Sequence, residues 1–353
     1  MMNNIMNHMM KNKTAPLGAM ALLPILPLLS LLPMTVMANE PLPQDKSASV
    51  SIDGTPSQTG WLDNHRRQFK GWLQGTAHHI DDWFGETDPN KPARASLRVI
   101  VDTTWSEKDG TTIKPRLRGK VKLPALENRL SVVFGDDNLD DEPADGGILT
   151  DSRLATANKK DDKAYDSRQA REDNSSLALR WSKFRHDTGL DVDLGVRSDD
   201  IFIRAKIGKN WQLSPDVQAR FEQTYRYGSR SEHMALSTLE FAQAQSDSRA
   251  IVSRSHLHYT HKDEENLNWS SSLFQRHHWQ VKRGTGELNY GLYTGGDIVD
   301  KKAHLNTYGP YISYRQPVWR EWVFLQGDVS YYNNKLTQQD HNVSLFGRVE
   351  VVF

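Results

Sequence analysis

The chain has 353 residues, 44 basic against 44 acidic side chains, no cysteine, and a mean hydropathy of -0.66. Without thiols, a disulfide framework, thiolate metal sites, a cysteine nucleophile and a lipidated N-terminal cysteine are excluded. The balanced charge excludes a broadly basic nucleic-acid binder. What remains is polar overall, with a hydrophobic fraction of 37%, yet rich in rings: 10 Trp, 11 Tyr and 11 Phe.

Residues 1–14 are polar and carry Lys11 and Lys13, and residues 17–37 (LGAMALLPILPLLSLLPMTVM) are almost wholly apolar. Val36, Met37 and Ala38 then supply small residues at the minus-three and minus-one positions. This predicts a secretory signal over 1–38, cleaved after Ala38. Pro24, Pro27 and Pro33 argue against the competing reading, an inner-membrane anchor. Met10 is an alternative start that gives a more ordinary signal length. Losing Lys11 and Lys13 leaves the mature chain a net charge of about -2.

Residues 39–59 are rich in Pro, Ser and Gln and read as a disordered linker. Residues 60–93 are a module of their own, a helix over 61–84 followed by the turn-rich linker 85–94. Leu62, Phe69, Leu73, Ile80 and Phe84 keep the helical period. Trp61, Trp72 and Trp83 recur every eleven residues, about three turns, so their indoles fall in line. Besides docking to a periplasmic partner, two placements fit this periplasmic amphipathic helix. It packs on or inside a barrel mouth, or it lies on the membrane with Trp at headgroup depth and Arg66, Arg67 and Lys70 on phosphates.

From residue 94 onward a period of two takes over. Leu97, Val99, Val101, Thr103 and Trp105 oppose Ser96, Arg98, Ile100 and Asp102. Ile113, Leu117, Gly119, Val121 and Leu123 oppose Lys114, Arg116, Arg118, Lys120 and Lys122. Such alternation predicts strands near 95–105, 112–124, 129–136, 175–184, 189–197, 201–208, 211–227, 232–243, 249–260, 266–279, 286–295, 304–316, 321–332 and 341–353. That is fourteen strands, with twelve as the alternative because several are short or alternate poorly. Charge held to one face of so many strands suits a watery lumen. Short turns, Lys209–Asn210 among them, then fall on the periplasmic side, and the long 137–174 connection falls outside.

The chain closes on Val343, Leu345, Gly347, Val349, Val351 and Phe353, one unbroken apolar face. Together with the signal segment, this strand and its terminal Phe353 resemble the Gram-negative outer-membrane β-barrel proteins, a broad porin-like class. The resemblance implies an all-β, transmembrane, antiparallel up-and-down barrel over 94–353. It also implies outer-membrane localisation, insertion by the barrel-assembly machinery through Val349, Val351 and Phe353, and contact with lipid and lipopolysaccharide. It leaves the substrate and the oligomeric state open.

Two constellations could carry function. The ladder Lys114, Arg116, Arg118, Lys120 and Lys122 puts five cations on one face, about 7 Å apart, where they repel unless water, anions or an acidic element faces them. The acidic run Asp136, Asp137, Asp140, Asp141, Glu142 and Asp145 is such an element. Either it folds into the lumen as a constriction or the ladder lines an anion-attracting path. The run lacks the glycine and glutamate of an EF-hand. His256, His258, His261, His277 and His278 suggest a metal cluster on paper only, because the topology separates them. Ser253, Ser255 and His256 are the nearest material for a hydrolase, without a third orienting group. The sequence therefore leads to an expectation of a channel for small polar solutes, without cofactor, metal or catalytic residues. A plugged scaffold is the alternative and a hydrolase the third reading.

Overall fold

The computed structural model describes residues 66–72, 74–75, 94–123, 129–142, 164–262 and 264–353. The expected signal segment and linker, Trp61, Trp83 and Asp145 lie outside them. Fourteen long strands form one closed antiparallel barrel. In chain order these are β1 (Arg94–Ser106), β2 (Gly110–Leu123), β3 (Leu130–Gly135), β4 (Ser176–Arg185), β5 (Thr188–Arg197), β6 (Asp200–Ser214) and β7 (Val217–Gly228). They continue as β8 (Glu232–Ser246), β9 (Arg249–Lys262), β10 (Glu264–Val281), β11 (Gly284–Val299), β12 (Thr307–Pro317), β13 (Val323–Asn334) and β14 (Gln339–Val352). A two-residue ladder, Lys302–Ala303 on Ile298 and Val299, decorates the end of β11.

Each strand pairs with its sequence neighbours, and β1 on β14 closes the ring, in register from Arg98 opposite Val352 to Ser106 opposite Ser344. Leu97 and Phe353 extend that seam, exchanging backbone hydrogen bonds of 3.3 and 2.8 Å. Closure leaves no open edge strand in the sheet, the arrangement that backbone placed in hydrocarbon requires.

One expected turn is corrected. The chain does not reverse at Lys209–Asn210: β6 runs on to Ser214 through a bulge at Gln212/Ser214, and the turn is Pro215–Asp216. Proline lacks the donor that a ladder needs, so it ends the strand where alternation alone shows no break.

The alternation puts two different surfaces on the wall. Outward lie Val101, Leu179, Leu194, Ile203, Ile207, Leu257, Leu273, Leu292, Ile312, Leu325, Val329, Leu345 and Val349, all exposed. Rings bound this aliphatic band at both ends. Trp211, Tyr314 and Trp319 are exposed near the end that carries the C-terminus, where Trp279 stacks on Tyr314 at 5.7 Å. Trp105, Tyr225, Tyr227, Tyr308 and Tyr331 are exposed at the far end. Inward the pattern is reversed: Asp102, Arg118, Arg180, Asp193, Arg204, Arg226, Arg254, Asp328, Arg348 and Glu350 are all buried. Apolar outside and ionic inside is the order of a barrel whose solvent is lipid.

The helical residues 66–72 and 74–75 lie against the outside of the wall at the closure seam. Phe69 packs on Ala95, Leu97, Val121 and Leu123, outward residues of β1 and β2, and its ring stands 4.9 Å from that of Phe353. The Gln74 amide brackets the Ala95 backbone, donating to its carbonyl at 3.2 Å and accepting from its N–H at 3.4 Å. Arg66 stacks over Trp322 at 4.9 Å, and Trp72 is 63% exposed. Of the expected placements, the described residues match packing on the barrel mouth, at its outer rim.

Candidate functional site: a lumen segment held by arginines

Segment 136–142 turns into the barrel, and Gly135 is the hinge. Its φ is +96°, and a Cβ there would stand 2.0 Å from the Leu117 carbonyl oxygen. That same oxygen accepts the Asp136 N–H at 2.7 Å. Glycine is required for so close a backbone approach. Asp136 then caps a single 3-10 turn, Asp137–Asp140, by accepting from the Asn138 N–H at 3.0 Å, and Leu139 is buried. Because β3 stops at Gly135, the far half of β2 lacks a strand partner there. Asn174 fills the gap, accepting from the Leu117 N–H at 2.6 Å and donating to the Pro115 carbonyl at 2.9 Å.

Each carboxylate of the segment meets guanidinium. Asp136 accepts from Arg116 Nε at 2.5 Å. Asp137 bridges Arg226 at 2.9 Å and Arg197 at 3.2 Å. Asp140 lies between Arg118 and Arg180, with Arg204 at 3.4 Å. Asp141 takes Arg204 at 2.6 Å and the Thr224 hydroxyl at 3.0 Å. Glu142 joins Arg116 to Arg348, the latter at 2.8 Å. Lys206 donates to the Asp140 carbonyl at 2.7 Å.

The arginines are themselves held by the wall. Arg180 forms a two-pronged pair with Asp193, both contacts 2.7 Å, and Arg348 does the same with Asp102 at 2.6 and 2.7 Å. Fork-to-fork geometry fixes the planes of these groups through wall contacts as well as through the segment. Burial pushes the Asp136 carboxyl up, and the pull of Arg116 does not fully offset it. Burial also pushes Asp140 up, but Arg118, Arg180 and Arg204 outweigh it and hold that carboxyl well below the ordinary carboxylate range.

Of the basic ladder, Arg116 and Arg118 touch the segment. Lys114, Lys120 and Lys122 form no ion pair among the described residues. The acidic residues on other strands have their own partners. Glu222 pairs with Lys206 and Arg220, Glu240 with Arg254 and Arg276, and Asp328 with Ser313 and Gln326. Sequence reasoning missed Arg180, Arg197, Arg204, Arg226 and Arg348 as partners. Their inward phase was legible, but five strands had to be curled around one segment to bring them together.

The opposite wall differs. In a ring of fourteen, β10–β13 face β3–β6, and they carry a buried row of Phe274, Tyr293, Tyr311 and Tyr332. Tyr293 stands 5.2 Å from Tyr332, and Arg254 and Arg276 each sit 5.4 Å from the Phe274 ring. At the end carrying the C-terminus, a cavity of about 590 Å³ is lined by Arg66, Arg98, Arg315, Glu350 and Trp322 among others.

The histidines do not converge, and among the described residues no cluster of His, Asp and Glu could hold a metal. His256 points inward to Thr238 at 2.9 Å, whereas Ser255 pairs with Ser271 at 3.1 Å on the other face of β9. His261 approaches Glu232 at 3.3 Å, and His278 approaches Glu287 at 3.6 Å. No Ser–His pair forms from Ser253, Ser255 and His256.

No protein-family model matches the chain, and no curated protein does. Solved structures to which it is similar include a bacterial polysaccharide outer membrane secretin, at 12% identity over 73% of this chain and 98% of that one, with a TM-score of 0.43. The NanC porin is similar at 6% identity over 72% and 98%, with a TM-score of 0.35. The outer membrane channel DcaP of Acinetobacter baumannii is similar at 9% identity over 76% and 99%, with a TM-score of 0.39. These neighbours are porin-like outer-membrane barrels, the broad class that the terminal strand resembles.

Proposed function

We propose that the chain is an outer-membrane channel that passes small polar solutes through a lumen narrowed by segment 136–142. The observation that carries this reading is the segregation of the wall, with an exposed aliphatic band between two rings of Trp and Tyr outside and paired charges inside. A barrel of this size leaves an interior that side chains and loops must fill or leave wet. Residues 1–38 direct export, the end with Phe353 faces the periplasm, and the assembly machinery inserts the barrel. The far end then meets lipopolysaccharide. Opposed charges across a narrow path set up a transverse field that orients polar solutes and selects only mildly between ions.

The test is conductance of the folded, purified chain in a planar lipid bilayer. Discrete conductance steps support the channel, and silence from protein shown to be folded ends it. A second reading, a non-conducting envelope barrel, draws support from the buried row Phe274, Tyr293, Tyr311 and Tyr332, which occupies the wall facing the arginines. Silence would favour it.

A further inference from the structure

We propose that the cavity at the end carrying the C-terminus binds the phosphoethanolamine headgroup of a phospholipid in the adjoining leaflet. Arg66 and Lys70 on the rim helix take its phosphate, and Glu321, in the turn between β12 and β13, takes its ammonium. The proposal does not depend on conduction, because a silent barrel would carry the same site.

Three observations carry it. First, the charges lining the cavity divide into spent and unspent groups. Arg98 and Arg315 both pair with Glu350 at 2.7 Å, and Glu142 is held by Arg116 and Arg348. Arg66, Lys70 and Glu321 form no ion pair among the described residues, although all three line this cavity. Two cations and one carboxylate match a ligand with one phosphate and one ammonium, whereas a simple anion would leave Glu321 uncompensated. Second, Arg66 is held with donors unused. Its guanidinium lies over the Trp322 ring at 4.9 Å, and its Nε is buried without an acceptor. A phosphodiester oxygen in the plane of that group supplies what the ring face does not. Third, the cavity adjoins the outer, lipid-facing wall. Just outside it Phe69 packs on Leu97, Val121 and Leu123, and its ring stands 5.5 Å from that of Trp72, which is 63% exposed. An outward Trp at the end of an aliphatic band belongs at headgroup depth, where acyl chains meet the wall.

The fold places the three unspent groups. Arg66 and Lys70 stand about one turn apart on the helix, and Gln74, a turn further, is anchored on Ala95 by hydrogen bonds of 3.2 and 3.4 Å. Phe69 fixes the same helix on Phe353 at 4.9 Å. Glu321 and Trp322 belong to a turn tied into the wall: the Val318 N–H donates to the Val323 carbonyl at 2.7 Å, and the Val352 N–H to the Trp322 carbonyl at 2.9 Å. The cavity, about 590 Å³, falls within the usual size of small-ligand sites, and groups held in this way need little reordering when it fills.

The folded full chain in detergent is offered an equimolar mixture of dioleoyl phosphatidylethanolamine, phosphatidylglycerol and phosphatidylcholine, and retained lipid is read by native mass spectrometry. The glycerol lipid lacks the cation, and the choline lipid keeps the charge but has no N–H to donate. One dominant ethanolamine-lipid adduct is expected, favoured about tenfold over either competitor, the effect of one charged hydrogen bond. Glu321→Gln should erase the preference for ethanolamine over glycerol. Lys70→Ala should instead weaken all three lipids by a similar factor and leave their order unchanged, and Lys209→Ala, on β6, should alter nothing. Each variant is first shown to be folded by heat-modifiability. The unlike signatures of Glu321 and Lys70 separate headgroup recognition from a loosened rim. Equal retention of the three lipids, or an order that Glu321→Gln leaves intact, overturns the proposal. A preference for the glycerol lipid overturns it in favour of a plain anion site. Binding of soluble O-phosphoethanolamine with no lipid retained overturns it in favour of a water-borne ligand.

Discussion

The Leu117 carbonyl oxygen accepts the Asp136 N–H at 2.7 Å, and a side chain on Gly135 would stand 2.0 Å from that same atom. Backbone contact and glycine requirement thus converge on one atom, which is where the chain leaves the wall and enters the lumen. Every contact of the acidic segment depends on that reversal.

Gly135→Ala is therefore expected to displace the segment while leaving the strands intact. Forcing an L residue into this conformation costs about 1–3 kcal/mol. The barrel should still migrate as a folded species on heat-modifiability gels, while its conductance rises and becomes more anion-favouring. Unchanged conductance would mean that the segment does not narrow the path.

Acid should release the segment late. Arg118, Arg180 and Arg204 hold the Asp140 carboxyl below the ordinary carboxylate value, so its contribution is fully present above that value, 3.8, and is lost as pH falls through the depressed native one. Asp136, pushed upward by burial, takes up its proton earlier, and because its native value is raised that protonation favours the inserted segment and does not release it. Conductance is expected to hold steady from neutrality to about pH 4 and to climb only below it. A transition centred between pH 5 and 7 would show that other groups hold the segment.

Charge on the lipid face should prevent assembly. Val349 is 38% exposed on the outer surface of β14, opposite Val101 across the seam. Val349→Lys places an ammonium in hydrocarbon at a cost of roughly 2–4 kcal/mol near the midplane. Refolding into lipid vesicles, followed by protease protection, should show the variant failing where Val349→Leu succeeds.

The helix at the rim should act as a clasp on the seam. Phe69 touches both Phe353 and the β1–β2 cluster, and Gln74 brackets Ala95. Phe69→Ala is expected to destabilise the folded barrel by about 1–3 kcal/mol, less than a fully buried Phe because the site is a rim. Urea unfolding from vesicles measures this, and deletion of Phe353 should lower stability through the same contact. Additive losses in the double variant would show that the two rings are not coupled.

Much of this architecture follows from alternation alone. A period of two assigns each side chain to a face, and a slip of one residue would turn Arg348 or Leu325 to the wrong solvent, so strand number and facing were legible before any contact was known. The exception at Lys209–Asn210 arose because the inward and outward phases continue unbroken to the proline.

What tertiary structure alone decided is partnership. The acidic run was visible, but its direction into the lumen depends on the backbone conformation of Gly135, and its support depends on Asn174, far away in sequence. Arg180, Arg204 and Arg226 reach Asp137, Asp140 and Asp141 only because the sheet closes and curls those strands around the segment. The rim helix shows the same limit: its amphipathic period predicts a buried face, but that face could meet lipid, lumen or wall. Periodicity records which solvent each residue meets, and only closure of the barrel determines which distant residue it meets there.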